Sequence, residues 1–168
     1  MKFEIATAGD IRFGTGSVNQ VPSLAAELGC RAFVITGCSQ SRSTPMVEQL
    51  EALGVTVTCF QVTAEPRLPD AIAGIEAARQ SRSDVVIGMG GGSVIDAGKV
   101  FAAMLTNQGR LSDYLEVIGK GLPLKTPSAP YIAVPTTAGT GAEVTRNSVL
   151  CSPEHRVKVS MRSPLMIP

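Results

Sequence analysis

Aromatic side chains are scarce in this sequence: no tryptophan, two tyrosines and five phenylalanines among 168 residues. They are scattered, so they assemble no stacking platform for a single-stranded nucleic acid. Strong charge of either sign is missing as well. Fifteen Lys and Arg face fourteen Asp and Glu, a net charge of +1, and no basic block concentrates counterion release on a phosphate backbone. Both absences speak against nucleic acid as a partner. Histidine occurs once, at His155, and the four cysteines (Cys30, Cys38, Cys59, Cys151) form no CxxC pair, which argues against a zinc knuckle and a redox dithiol alike. The cysteines read as reduced, mostly packed thiols. No run approaches the roughly 18 apolar residues that a bilayer helix needs, and the first residues hold no long apolar leader core. A cytoplasmic chain without a membrane partner is the expectation.

What is present is apolar and patterned. With 44% hydrophobic and 17% charged residues, the chain is long enough for one α/β domain with a sizeable core. Ala32 to Thr36 and Val55 to Phe60 are β-branched runs, and Met46, Val47, Leu50 and Leu53 recur between them on a helical period, which makes a βαβ unit. Before it, Val18 to Leu28 is amphipathic and closes at Gly29, a position suited to a left-handed turn; Gly54 ends the next helix in the same way. A further helix is predicted from about Leu68 to Ser81. Asp84 to Met89 is an apolar run of the kind buried on both faces of a parallel sheet. Val94 to Leu105 is apolar nearly all round and therefore a buried helix. Residues 107 to 130, rich in Gly, Pro, Lys and Ser, read as a long surface excursion before the strand at Tyr131 to Val134. Glu143 to Leu150 and Arg156 to Met161 then pair as an antiparallel hairpin. The fold class expected is α/β, a Rossmann-like parallel sheet flanked by helices with an added β-hairpin.

The strongest chemical signal is Gly90-Gly91-Gly92-Ser93-Val94-Ile95-Asp96, which joins a buried strand to a buried helix. Glycines let the backbone approach a ligand and adopt positive φ, and the first helical N–H groups with the helix dipole favour a negative group such as pyrophosphate. Ser93 and Asp96 have the spacing of a capping box, which would fix the loop. Lys99, one turn on, either neutralises Asp96 or a bound phosphate, or snorkels to solvent. A tight strand–helix turn without ligand is the bland alternative. The GxGxxG fingerprint of the ordinary Rossmann fold is missing. The second signal, Pro135-Thr136-Thr137-Ala138-Gly139-Thr140-Gly141-Ala142-Glu143, places three threonines at the end of a strand, where open α/β sheets bind ligands; a turn bonding its own backbone is the alternative there.

The pair GGGSVID and PTTAGTGAEVT resembles the iron-containing (group III) alcohol dehydrogenases. The resemblance extends through FGTGS at Phe13 to Ser17, Thr36-Gly37, Glu65-Pro66 and Arg156-Val157-Lys158. It implies that Gly90, Gly91, Gly92 and Ser93 hold a dinucleotide pyrophosphate, with Asp96 and Lys99 in support. It further implies that Thr136, Thr137 and Thr140 flank the adenosine and ribose groups, and that Val149 and Lys158 line the nicotinamide-ribose side. The expected cofactor is NAD or NADP, with a small alcohol or aldehyde as substrate in the complete enzyme.

Three departures from the family pattern bear on this reading. Gly37 stands where many NAD-preferring relatives have the Asp that accepts the ribose 2′-OH and repels a 2′-phosphate, so NADP should be tolerated. Arg67, after Pro66, adds a positive charge for a 2′-phosphate or the adenine face. The resemblance also implies a C-terminal helical domain whose one Asp and three His hold divalent iron or zinc, and this sequence contains no such segment. His155, in the expected hairpin turn, reads as a surface residue. Residues 1–168 are thus expected to be the dinucleotide-binding domain alone, with no catalytic residue and no metal ligand in this chain. A dehydroquinate-synthase-like enzyme half and a non-catalytic nucleotide-binding module are the rival readings. A homo-oligomer is possible through an edge at Phe3-Glu4-Ile5.

Overall fold

The structure is a computed structural model, and it describes residue 2 and residues 7–168. The chain opens with a 3-10 turn at Ser17–Gln20 and runs through α1 (Val21–Leu28), β1 (Arg31–Thr36), α2 (Thr44–Ala52), β2 (Thr56–Gln61) and α3 (Leu68–Gln80). It continues through β3 (Val85–Gly90), α4 (Gly92–Thr106), the single-turn α5 (Leu111–Tyr114) and β4 (Tyr131–Pro135), and ends in β5 (Asn147–Ser152) and β6 (Val157–Arg162). Four strands form a parallel sheet in the order β2-β1-β3-β4, and β5 pairs antiparallel with β6. The expected α/β class, with its parallel sheet and added hairpin, is the observed one. The edge expected at Phe3, Glu4 and Ile5 lies outside the described residues. Among the described residues no helix is long and apolar enough to cross a membrane.

Strand alternation sorts the core into two layers. Ala32, Val34, Val85 and Ile87 face α1 and α2, where Val21, Ala25, Met46 and Leu50 close the layer. Phe33, Ile35 and Val86 face α3 and α4 on the other side. There Phe33, Phe60 and Phe101 meet with ring centroids 5.6 to 6.0 Å apart, two of the three pairs edge to face, a geometry in which ring quadrupoles attract. Gly74 on α3 makes room for them, since a Cβ there would lie 2.2 Å from the Phe101 ring. The apolar Val94 to Leu105 run is buried as expected: every residue from Ala97 to Met104 is inside, Lys99 among them. The helix is covered by sheet on one side and by Leu150, Val159 and Met161 of the hairpin on another.

Several local expectations change, each for a reason of packing. Gly29 is extended, with φ −172°, and is glycine because a Cβ would sit 2.3 Å from Asp84 Oδ1; Gly54 does take the left-handed turn, at φ +81°. Helix α1 begins at Val21 because the preceding four residues form the tighter turn. Residues 107–130 are no free excursion: Leu111, Leu115, Leu124 and Ala129 are buried, and the Asn107 amide clips the segment by accepting from the backbone of Lys125 and Thr126 and donating to the Thr126 carbonyl. The hairpin starts later than expected, because Ala142–Val144 forms a 3-10 turn entered through Gly141 at φ 63°. The four cysteines are free, yet Cys30, Cys38 and Cys59 are exposed rather than packed.

Candidate functional site

Strand β3 ends at Gly90, Gly91 caps the next helix in extended backbone, and α4 begins at Gly92. The first helical hydrogen bonds run from the amides of Val94 and Ile95 to the Gly91 carbonyl, at 3.0 and 3.1 Å. The amides of Gly92 and Ser93 precede that ladder, as the first N–H groups of any α-helix must, and both residues open into a cavity. Behind them stands a 15-residue helix with its positive end at the cavity. None of the three glycines has a positive φ, so the left-handed freedom expected of them is not what selects them. Close approach does: a Cβ on Gly90 would fall 2.5 Å from Val94 Cγ2, one on Gly91 3.3 Å from Thr137 Oγ1, and one on Gly92 3.2 Å from Thr140 Cγ2.

The expected Ser93–Asp96 capping box does not form. The cap is Gly91, without a side-chain bond, and Asp96 turns away from the helix start. Its Oδ2 accepts from the Val149 amide at 3.0 Å, its Oδ1 pairs with Lys99 Nζ at 2.9 Å, and its carbonyl accepts from the Ser148 hydroxyl at 2.8 Å. The hairpin is thereby fastened to α4. Lys99 does not snorkel: its side chain is 0% exposed. Its ammonium donates to the Ala142 carbonyl at 2.9 Å, to Thr145 Oγ1 at 3.2 Å and to the Asn147 carbonyl. Four carbonyl or hydroxyl oxygens from the 142–147 segment, the Thr145 carbonyl at 3.5 Å among them, and one carboxylate surround a single cation. Burial pushes the Lys99 pKa down, opposed by the charges of Asp96 and Glu143. Lys99 therefore lies behind the cavity wall and holds the threonine loop in place.

The cavity has a volume of about 310 Å³. Its walls come from α4 (Gly92, Ser93, Asp96), the threonine loop (Thr140), the hairpin (Val149) and the turn after β2 (Glu65). Five of the residues singled out in the sequence thus meet in one space. Thr136 and Thr137 lie exposed beside it, the Thr136 amide bonding the Gly90 carbonyl at 2.8 Å. Gly37 follows the last residue of β1; a Cβ on it would rest 3.8 Å from Val94, and its carbonyl accepts from Gln61 Nε2. Arg67 sits outside the cavity lining, its guanidinium bidentate on Asp70 at 2.8 and 3.2 Å, and each partner holds the other charged. Lys158 pairs with Glu65 Oε1 at 2.8 Å, which raises its pKa. His155 occupies the hairpin turn, exposed, with Nδ1 3.0 Å from Ser152 Oγ.

Sequence reasoning gave no site role to Glu65, Thr145 and Asn147, all of which line the cavity. Glu65 had a signal: a carboxylate followed by proline just past the C-terminal end of a strand, where such sheets bind ligands. Thr145 closes the PTTAGTGAEVT motif but carried no sign of its own role, and Asn147 had no signal, because their place depends on Lys99 gathering their oxygens from more than forty residues away.

The sequence profile described as "Iron-containing alcohol dehydrogenase" matches residues 8–168. The choline dehydrogenase of Bacillus subtilis (strain 168) is 31% identical over 170 residues, covering 98% of this chain and 41% of that protein. The sulfoacetaldehyde reductase of Bilophila wadsworthia is 31% identical over 171 residues, covering 99% of this chain and 43% of the relative. Among solved structures, a 1,3-propanediol oxidoreductase superposes with a TM-score of 0.88 at 29% identity, over 100% of this chain and 44% of its own. A sulfoacetaldehyde reductase from Bifidobacterium kashiwanohense, solved in complex with NAD+, gives a TM-score of 0.84 at 27% identity, over 100% of this chain and 45% of its own. The chain spans less than half the length of each of these relatives. With the profile running from the eighth residue to the last, the chain belongs to the iron-containing alcohol dehydrogenase family.

Proposed function

We propose that this chain is the dinucleotide-holding part of a metal-dependent alcohol dehydrogenase, binding NAD or NADP for hydride transfer to or from a small alcohol or aldehyde. One observation carries the reading: two amides ahead of the α4 ladder, Gly92 and Ser93, open into a cavity at the positive end of a 15-residue helix. The residues fit the cofactor. A Cβ on Gly91 or Gly92 would press on the threonine loop, so the glycines keep the backbone bare where a diphosphate must come within hydrogen-bond distance. When bound, the nicotinamide ring supplies or accepts the hydride.

The chain's own groups then have distinct tasks. The Gly92 and Ser93 amides donate to phosphate oxygens, and Thr140, packed over Gly92, closes that side of the turn. Thr136 and Thr137 offer exposed hydroxyls to the adenosine side, and Val149 with Lys158 borders the nicotinamide ribose. Asp96 touches no ligand; it holds the Val149 amide and thereby the hairpin wall. Gly37 leaves the end of β1 without a carboxylate, which admits a 2′-phosphate, although Arg67 must then leave Asp70 to meet it. The free, unpaired cysteines suit a reducing compartment such as the cytoplasm.

The described residues do not fit the metal: none of their His, Cys, Asp and Glu side chains form a group of three or more able to hold one.

Titration with NADH and NADPH, followed by cofactor fluorescence, tests the reading on the wild type and Gly92→Val. The valine displaces Thr140 and covers the two amides, so affinity should fall at least roughly tenfold, the worth of one charge-assisted hydrogen bond; equal affinity in the two proteins sinks the cradle. The 168-residue chain alone should oxidise no alcohol. Steady turnover within about tenfold of a full-length relative, on the usual 1–10³ per second scale, would contradict that.

A further inference from the structure

Two carboxylates, Asp96 and Glu65, line a cavity whose amide pole is suited to an anion. They differ in how much of each is already spent. Both oxygens of Asp96 are taken, by Lys99 and by the Val149 amide, and its side chain is only 17% exposed. Glu65 stands at the rim, 43% exposed, paired through Oε1 with a Lys158 that is itself 65% exposed. An exposed pair of this kind is held weakly, so the carboxylate keeps acceptor capacity for a ligand.

The backbone brings the two side chains together without help from the ion pair. The Pro66 carbonyl accepts the Cys151 amide at 2.9 Å, Arg67 forms a parallel bridge with Cys151, and Cys151 faces Lys158 across the hairpin. Glu65 is therefore presented at a fixed place beside the hairpin wall, in the same cavity as Gly92 and Ser93.

A carboxylate with unspent lone pairs in an anion's cavity is matched to hydroxyl donors, not to phosphate. In a dinucleotide the diphosphate is flanked by riboses, and doubly wound sheets meet a ribose hydroxyl with a carboxylate placed near the strand ends. The usual position, after β1, has no carboxylate here: Gly37 is followed by Cys38, Ser39, Gln40, Ser41 and Arg42. Glu65, after β2 and beside Lys158 and Val149, is the lining carboxylate free to meet a sugar hydroxyl on the hairpin side of the cavity. The cavity's 310 Å³ lies at the lower end of the ~300–1,000 Å³ range of ligand pockets, room for a diphosphate and one sugar rather than for a whole dinucleotide.

We propose that Glu65 is the ribose-recognising carboxylate of this chain, accepting a hydroxyl of the sugar next to the diphosphate while Lys158 orients it and cancels its charge toward the phosphates. This rests on the dinucleotide reading above and adds to it a residue and a chemical group. The test uses two probes on the 168-residue chain, NADH by fluorescence titration and inorganic pyrophosphate by displacement of NADH, with wild type and Glu65→Gln compared. Exchanging the charged acceptor for a neutral amide oxygen should weaken NADH roughly tenfold, while pyrophosphate, which has no hydroxyl and gains from removal of a negative rim, should bind equally or more tightly. Thermal melts of the two proteins should coincide, because the exposed ion pair adds little to stability. Glu65→Gln binding NADH as tightly as wild type, or more tightly, overturns the proposal and leaves Glu65 a repelling rim charge. Parallel weakening of both probes also overturns it, since the residue would then shape the cavity instead of reading the sugar. A wild type that binds no NADH, or from which pyrophosphate displaces none, overturns the dinucleotide reading itself and Glu65 with it.

Discussion

Replacing Lys99 with methionine removes the cation on which the threonine loop and the hairpin converge. Methionine matches the length and apolar bulk of the lysine stem, so the helix keeps its packing and the loss is confined to the ammonium. Asp96 then keeps a charge with the Val149 amide as its remaining described partner, the Asn147 carbonyl loses the ammonium, and the Ala142 carbonyl is left with the Thr145 amide and hydroxyl alone. Breaking a buried ion pair by deleting one partner costs about 3–5 kcal/mol. The lower end applies, because Asp96 retains 17% exposure and water can reach it. About 3 kcal/mol of stability should disappear in urea unfolding, which for a chain of this size corresponds to a fall of roughly 6–12 °C in Tm. The double variant Asp96→Asn, Lys99→Met should be more stable than Lys99→Met by about 1–2 kcal/mol, since no uncompensated carboxylate remains. Amide exchange at residues 142–149 should accelerate more than in β1 or β3. A loss below about 1 kcal/mol, or a double variant that is merely the sum of its parts, would refute the assignment of Lys99 as the clamp.

The second prediction concerns Gly98 on α4, where an added Cβ would lie 2.5 Å from the Tyr131 hydroxyl and 2.6 Å from its ring. That hydroxyl donates to the Ile95 carbonyl at 3.0 Å and is too buried to ionise in the ordinary range; Gly98→Ala should therefore cost about 1–3 kcal/mol of overpacking in a urea titration, and a neutral result would show that the helix and β4 are not so close. The third concerns acid. Lys120 at 2.8 Å, with the Arg110 amide, holds the Asp113 carboxyl below its ordinary 3.8. A depressed carboxyl contributes stability that is complete above the ordinary value and is lost as pH falls through the folded one, so the difference in Tm between wild type and Asp113→Asn should vanish at the acid end of a pH series. A constant difference down to the lowest pH at which the chain folds would contradict the pairing.

How much of this was legible in the sequence depends on the range over which each feature is decided. The strands β1, β2, β3 and β4 and the helix α4 are written in short β-branched or apolar runs, and local periodicity was enough to place them. Gly54 was legible because its left-handed φ belongs to the helix end itself. For Gly29 and the Gly90–Gly92 run the left-handed backbone expected from the sequence is absent; what forbids a side chain within the fold is Asp84, Val94, Thr137 or Thr140, neighbours that only the folded chain supplies. The 107–130 segment misled because Leu111, Leu115, Leu124 and Ala129 are buried one at a time between Gly and Pro, which leaves no period to detect.

Lys99 shows the limit most clearly, and it also explains the site. A lysine on an apolar helix has two outcomes, and the choice depends on whether enough oxygens can be brought to it. Residues 136–146 form no strand ladder, so the Thr145 carbonyl has no neighbouring strand to accept from and the Ala142 carbonyl has only the Thr145 amide and hydroxyl. Burying one ammonium among them satisfies both sides of the problem: the loop gains a donor and the lysine gains partners, with Asp96 one turn away supplying the opposite charge. Once that exchange is made, Thr140 is held against Gly92, the hairpin is held against α4 through Asp96, and the space left between them is the cavity. The shape of the space beside the glycine turn thus depends on a buried charge set behind its wall, and the place of that charge is decided by oxygens more than forty residues away.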